Sequence, residues 1–401
     1  MNIILNGGLL LLVGFLAGKL ANVLKFPAVT GYLIGGILIG PSVFNFLSHD
    51  MLRASIWISH GALALIAFSI GSQFTIGNIR RLGARVIWIA TLEALGGLFA
   101  VMLAMIFVFR QPVPVALLYG AIAAATAPAA TLMVIRELRA SGPMTDTLLA
   151  VVAIDDPICV IAFGIASGLS AMLMKGTALS LGNMILGPLW EITRALGLGL
   201  MIGLGVSLAV KWIQREADVQ VLVLGAIFVS TGLALILGLS PLLTCMALGS
   251  AVGNASRRGD KVFEAITALD TPVYVAFFTL SGAGLHVELL RRVGLLGIGY
   301  VAFRVLGKIL GASLGATVTR APGVVRRYLG LGLVPQAGVA LGLSLLVKQQ
   351  FPGIGDVIST TIVASTVIYE LIGPVCSKIG ISLAGEAGGC VAGSESASSS
   401  V

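Results

Sequence analysis

Ala150-Val-Val-Ala-Ile-Asp155-Asp156-Pro157-Ile-Cys-Val160 places two adjacent carboxylates in the middle of an apolar run. From Leu148 to Leu173 no other charged residue occurs. In a soluble protein such a run would be a buried core helix. Here its surroundings make it a membrane span, and a carboxylate at bilayer depth costs about 3 kcal/mol on insertion scales. Two in a row imply that at least one faces water, a cation or a basic partner.

Composition fixes the setting. Hydrophobic residues make up 57% of the 401-residue chain, charged residues 10%, and the mean hydropathy is +1.05. A soluble domain carries about 25% charged residues. The chain therefore reads as an all-α polytopic membrane protein, with the lipid bilayer as its surroundings. The net charge of +8 is no nucleic-acid signature, because the basic residues fall mostly in short loops between spans. Cys159, Cys245, Cys376 and Cys390 are scattered without C-x-x-C spacing, and His49, His60 and His286 lie far apart, so neither a disulfide framework nor a metal centre is implied. No organic cofactor is implied either.

Apolar runs long enough to cross or nearly cross a bilayer fall near 3–24, 28–45, 55–76, 84–109, 113–136, 145–173, 194–214, 219–238, 240–254, 263–285, 291–318, 326–347 and 356–380. The sequence thus predicts thirteen spans. Residues 174–193 read as a linker, and 385–401 as a small, polar, disordered tail. With the N-terminus outside, sixteen Lys and Arg residues fall on the cytoplasmic side and seven on the other, a bias toward N-out, C-in.

The two halves repeat. "IGSQFTIGNIRRLG" from Ile70 aligns without a gap with "SGAGLHVELLRRVG" from Ser281, matching Gly71 with Gly282 and Arg80-Arg81 with Arg291-Arg292 at an offset of 211. Gly36 and Gly40 match Gly249 and Gly253 at 213, and Pro128 matches Pro335 at 207. An odd number of spans separates equivalent positions, so the copies run in opposite orientation. The organisation expected is a first inverted repeat over 1–173, a linker and seventh span over 174–214, a second repeat over 215–384, and the tail. Inverted repeats point to an alternating-access transporter.

Such transporters place their site at the midplane, where paired helices are broken. Pro128 and Pro335 lie mid-span in the fifth and twelfth runs, and each removes a backbone donor, freeing a carbonyl. Broken, crossing helices are expected there, with Thr126 contributing a hydroxyl or carbonyl. On a helix Asp155 and Asp156 point about 100° apart. So close together and partly desolvated, at least one should readily hold a proton or a hard cation, but not both at once. Lys308, mid-span in "FRVLGKILGASLG", needs a counter-charge, and Asp155 or Asp156 is the obvious one. A cation that displaced Lys308 from its carboxylate would let the lysine release a proton. Arg304 lies one turn before Lys308 and matches Glu93 at the offset of 211, which predicts a Glu93–Arg304 pair; Glu370 is another candidate partner for Arg304.

With these residues in view, the chain resembles the monovalent cation:proton antiporter superfamily, nearest the bacterial sodium/proton antiporters of its second subgroup. The resemblance covers the whole membrane chain. It rests on Asp155-Asp156-Pro157, "ATAPAAT" (Ala125–Thr131), Lys308 and "YELIGP" (Tyr369–Pro374). It implies a dimerisation domain and a core domain with two crossed, unwound helices. It further implies Asp156 as the main carrier of cation and proton, Asp155 as the partner of Lys308, a homodimer, an elevator-like core motion and residence in the bacterial inner membrane. Some relatives have Thr-Asp-Pro where this chain has Thr126-Ala127-Pro128, so one carboxylate ligand is missing. Two aspartates favour sodium or lithium and charge-moving exchange by family analogy. Potassium/proton exchange is the alternative, and sodium-coupled uptake of an organic anion a more distant one. No nucleophile–base or metal-ligand set speaks for an enzyme.

Overall fold

The computed structural model describes residues 3–47, 56–72, 83–175, 186–213, 215–256, 269–285 and 294–388, together with Gly77, Gly259, Val262, Phe263 and Ile266. Regular structure among these residues is helical throughout, as expected where lipid offers no partner for a free backbone group. In chain order the helices are α1 (Ile3–Val23), α2 (Ala28–Ile39), α3 (Ile56–Gly71), α4 (Arg85–Phe107), α5 (Val113–Ala123), α6 (Pro128–Glu137), α7 (Pro143–Lys175) and α8 (Gly187–Ala209). They continue with α9 (Glu216–Ile236), α10 (Pro241–Ala255), α11 (Asp270–Ala283), α12 (Gly294–Val318), α13 (Gly323–Gly332), α14 (Gly338–Gln350) and α15 (Ile354–Leu383). Among the described residues eight stretches, one of them α5 with α6, are long and apolar enough to cross a membrane. Outer faces of α1, α8 and α9 expose large apolar side chains such as Phe15, Met201 and Phe228, as lipid-facing helices do.

Prolines set several boundaries. Pro128, Pro143 and Pro241 each open a helix, where the missing N–H would have had no partner in any case. Pro128 therefore does not kink one continuous span. It starts α6 after a four-residue break, while Pro335 lies in the five-residue break between α13 and α14. Pro157 and Pro374 differ, lying inside α7 and α15. Two boundaries depart from expectation. Both ends of the expected linker at 174–193 are helical, because α7 runs to Lys175 and α8 starts at Gly187. Residues 385–388, expected to belong to a disordered tail, depart from that expectation. Gly385–Gly388 is described, and Glu386 is buried because its carboxylate caps the start of α7, accepting from Met144 N (2.7 Å), Thr145 N (2.7 Å) and Thr145 Oγ1 (2.7 Å). Arg80-Arg81, Arg291-Arg292, His49, His286 and residues 389–401 lie outside the described residues.

The helices form two bundles. One holds α1, α2, α3, α8, α9, α10 and α11; the other holds α4, α5, α6, α7, α12, α13, α14 and α15. They meet along a seam where α2 and α3 pack on α6, α7 and α15. Ala129, Ala130 and Ala153 of the second bundle project into the apolar core of the first.

Matched glycines carry matched contacts. Gly36 of α2 lies against the backbone of Thr279 in α11, and Gly282 of α11 against that of Leu33 in α2. Likewise Gly249 of α10 lies against Phe68 of α3, and Gly71 of α3 against Met246 of α10. Since α2 aligns with α10 and α3 with α11, these are the same contact made twice. Gly96 and Gly307, also 211 residues apart, touch each other across α4 and α12. A residue that touches its own equivalent lies on the twofold axis relating the halves.

Candidate functional site

The site forms where the two breaks meet. Ala127 N donates to Pro335 O (3.0 Å), joining them directly. A broken helix leaves its last carbonyls without intrahelical donors, and each end carries partial negative charge. Other elements satisfy every carbonyl from 121 to 125. Ala121 O accepts from Cys159 Sγ (3.7 Å), Ile122 O from Gln336 Nε2 (2.9 Å), and Ala123 O from Arg304 Nε (3.0 Å). Ala125 O accepts from Arg304 Nη2 (2.5 Å), and Ala124 O from Lys308 Nζ. The end of α13 is treated alike: Gly332 O accepts from Thr131 Oγ1 (3.0 Å), Val334 O from Arg304 Nη1 (2.7 Å), and Pro335 O also from Arg304 Nη2 (3.4 Å).

Arg304 is thus a staple across both breaks. Its rigid fork of donors matches a fan of carbonyls better than an ammonium would. It is fully buried, with its guanidinium carbon 4.5 Å from the ring centre of Tyr369. The expected pairs with Glu93 and Glu370 do not form. The reason lies at the axis. Helices α4 and α12 cross antiparallel at Gly96 and Gly307, so Glu93 lies beside Gly311 and Arg304 is carried to the opposite end of the crossing.

Glu93 instead meets Lys308, with Oε2 2.9 Å from Nζ. Asp155 Oδ2 is 3.3 Å from the same ammonium, and Thr126 Oγ1 accepts from it at 2.6 Å. Lys308 is therefore shared between two carboxylates, a hydroxyl and a carbonyl, all buried. Gly97 makes room for it, because a Cβ there would crowd Lys308 Cγ at 3.2 Å and Ala123 O at 3.1 Å. Thr126, expected as a cation ligand, has its hydroxyl engaged by Lys308.

Asp156 stands apart. It is 4% exposed, against 0% for Asp155, and its Oδ1 has no hydrogen-bond partner. Asp155 Oδ1 is likewise unpartnered. Pro157 lies inside α7 and has no N–H to give the carbonyl of Ala153, one turn earlier. Fully ionised, Glu93, Asp155 and Asp156 with Lys308 and Arg304 sum to one negative charge. One proton or one monovalent cation balances it. Buried unbalanced charge is costly, so the cluster favours holding one or the other.

Gln336, Tyr300 and Tyr369 also belong to the site. Tyr300 Oη donates to Gln336 Oε1 (3.2 Å), and Tyr369 Oη to Val301 O (3.3 Å). Gln336 was visible in the sequence as the one polar residue beside Pro335 in "VPQAG". Glu370 stands on α15 close in sequence to Gly373, which abuts Pro335, and its Oε2 is unpartnered.

Known proteins share this fold. The family model described as sodium/hydrogen exchanger, transmembrane, matches residues 8–378. The chain is 26% identical to Na(+)/H(+) antiporter 1 of Methanocaldococcus jannaschii, covering 90% of this chain and 88% of that protein. It is 25% identical to the Na(+)/H(+)-K(+) antiporter GerN of Bacillus cereus (88% and 92% covered), and 20% identical to the K(+)/H(+) antiporter subunit KhtU of Bacillus subtilis (94% and 93%). Its fold is similar to the structure of the sodium proton antiporter MjNhaP1 at pH 8, with a TM-score of 0.71 at 22% identity over 96% of this chain and 97% of that one.

Proposed function

The chain belongs to the sodium/hydrogen exchanger family, and from that premise we propose that it exchanges a monovalent cation, sodium or lithium, for protons by alternating access. One observation carries the reading: Asp156 is buried with an unpartnered oxygen, beside an Asp155 that is paired with the shared Lys308. A cation entering from one side takes Asp156, together with the free oxygen of Asp155. The charge it brings replaces the proton that balanced the cluster, so cation and proton compete for one place. When the cation takes Asp155 from Lys308, the ammonium gives up its proton or falls back on Glu93, and that choice sets how much charge each cycle moves.

The remaining parts follow as proposals. The exchanged glycine contacts support two inverted repeats, at 1–173 and 215–384, with the bundle of broken helices as a core that moves against the other. The distribution of Lys and Arg supports an N-terminus outside and a C-terminus in the cytoplasm of a bacterial inner membrane. A homodimer is proposed through the bundle that lacks the breaks. The chemistry needs no bound cofactor beyond the transported ions, and family membership argues for a transporter rather than an enzyme.

Potassium is the second reading. GerN carries both ions in its name and KhtU carries potassium, and both ions seek hard oxygen ligands. The test is proton movement in proteoliposomes holding a pH-sensitive dye, with sodium, lithium and potassium added in turn. Sodium-driven proton release is expected, and release by potassium alone would move the assignment to potassium.

A further inference from the structure

At one end of the seam the two bundles are tied by side chains that the site does not use. Helix α2 begins at Ala28 after Pro27, which has no side-chain oxygen with which to cap it. The cap comes from the other bundle: Ala28 N donates to Oε2 of Glu137, the last residue of α6 (2.8 Å). A carboxylate is favoured at this position by the α2 dipole as well as by the bond. Asn22, at the end of α1, turns its amide nitrogen to Glu137 Oε1 (2.8 Å) and to Phe26 O (3.1 Å). Beside them Lys378 of α15 donates from Nζ to Lys25 O in the α1–α2 turn (3.0 Å). So two elements of the broken-helix bundle, α6 and α15, grip one turn of its neighbour.

The other half does not repeat this grip. Helix α10 is the equivalent of α2, and Ser240 stands where α2 has Pro27. Ser240 caps its own helix, accepting from Leu243 N (3.3 Å). Ser344, the equivalent of Glu137 at the offset of 207, donates to Leu341 O (2.8 Å) inside its own helix. The halves align, yet among the described residues the bonds at Glu137 and Lys378 have no counterpart at Ser240 and Ser344.

We propose that Glu137, with Asn22, Lys25 and Lys378, is a latch between the bundles. It holds the cytoplasmic end of the seam shut in this conformation and must open each time the site turns toward the cytoplasm. The inference rests on the alternating-access and orientation readings above. Sliding α6 along α2 cannot keep the Glu137–Ala28 bond, whose geometry tolerates only a few tenths of an ångström. Opening leaves the first N–H groups of α2 to water, so the latched state is favoured by about tenfold for one charge-assisted hydrogen bond.

Two measurements test it. The first does not depend on transport. A single cysteine at Ala129, in the seam at the depth of the break, is labelled from the cytoplasmic face by an impermeant thiol reagent, with the native cysteines replaced. Glu137→Ala should raise the labelling rate about tenfold, and Glu137→Gln, which keeps an acceptor but not the charge, should raise it less. Equal rates in all three backgrounds would overturn the latch. The second joins Lys25→Cys to Lys378→Cys with a reducible bifunctional thiol reagent and follows sodium-driven proton flux in proteoliposomes. Exchange should fall at least tenfold on linking and return on reduction. Full exchange in the linked protein would overturn the latch. If the unlinked parent shows no sodium-driven flux, the antiport reading fails while the labelling rates still decide the latch.

Discussion

Replacing Arg304 should loosen the whole site, and the size of the loss can be worked out. Its guanidinium makes four hydrogen bonds, to Ala123 O, Ala125 O, Val334 O and Pro335 O. Side-chain hydrogen bonds inside membrane proteins average about 0.6 kcal/mol each. Four give about 2.4 kcal/mol, and a charged donor roughly doubles that. Arg304→Leu also leaves the carbonyls of Ala123, Ala125 and Val334 unsatisfied at two helix ends, while Pro335 O keeps its bond from Ala127 N, so a loss of about 2.5–5 kcal/mol is expected. At about 2 °C per kcal/mol, Tm should fall by roughly 5–10 °C. Arg304→Lys keeps the charge but reaches fewer carbonyls, so it should fall in between. The assay is thermal unfolding of the purified protein in detergent, followed by intrinsic fluorescence. A Tm for Arg304→Leu within about 1 °C of the parent would refute the idea that this side chain staples the breaks together.

Other outcomes follow from the same geometry. Glu93→Gln removes one of three carboxylates and brings the ionised cluster to neutrality without a cation, so the KM for sodium should rise about tenfold or more, as 1.4 kcal/mol per factor of ten implies; an unchanged KM would detach Glu93 from the site. Lys308→Gln removes the group whose proton release would move charge, and current on solid-supported membranes should fall; undiminished current per cycle would count against its role. Glu386→Ala removes three bonds that cap α7, at a cost of about 1–2 kcal/mol, visible as a lower Tm, with Glu386→Gln recovering part of it.

Much of this molecule can be read from its residues because lipid makes the rules strict. The expected run at 3–24 is α1 at 3–23, and that at 84–109 is α4 at 85–107, since an apolar stretch of bilayer length has few alternatives to a helix. The breaks are legible through Pro128 and Pro335 for the same reason. What the sequence hides is partnership with backbone. Arg304 invites a search for an acid, and the offset of 211 supplies Glu93, yet its partners are carbonyls that no residue name reveals. Alignment also says which residues are equivalent, not which face each other. Antiparallel crossing at Gly96 and Gly307 separates Glu93 from Arg304 and brings it to Lys308. Glu386 was hidden by its surroundings, because a carboxylate in a small, polar stretch gives no sign of the helix start that it caps.

In the exchange proposed here Asp156 carries cation and proton in turn. The most direct test is sodium-induced proton flux in proteoliposomes for the parent and for Asp156→Asn, which keeps the shape and removes the charge. Sodium should release protons through the parent, and Asp156→Asn should show no flux above empty vesicles while unfolding at a temperature no lower than the parent's. Sodium-driven flux through Asp156→Asn at the parent's rate would show that Asp156 is not the carrier.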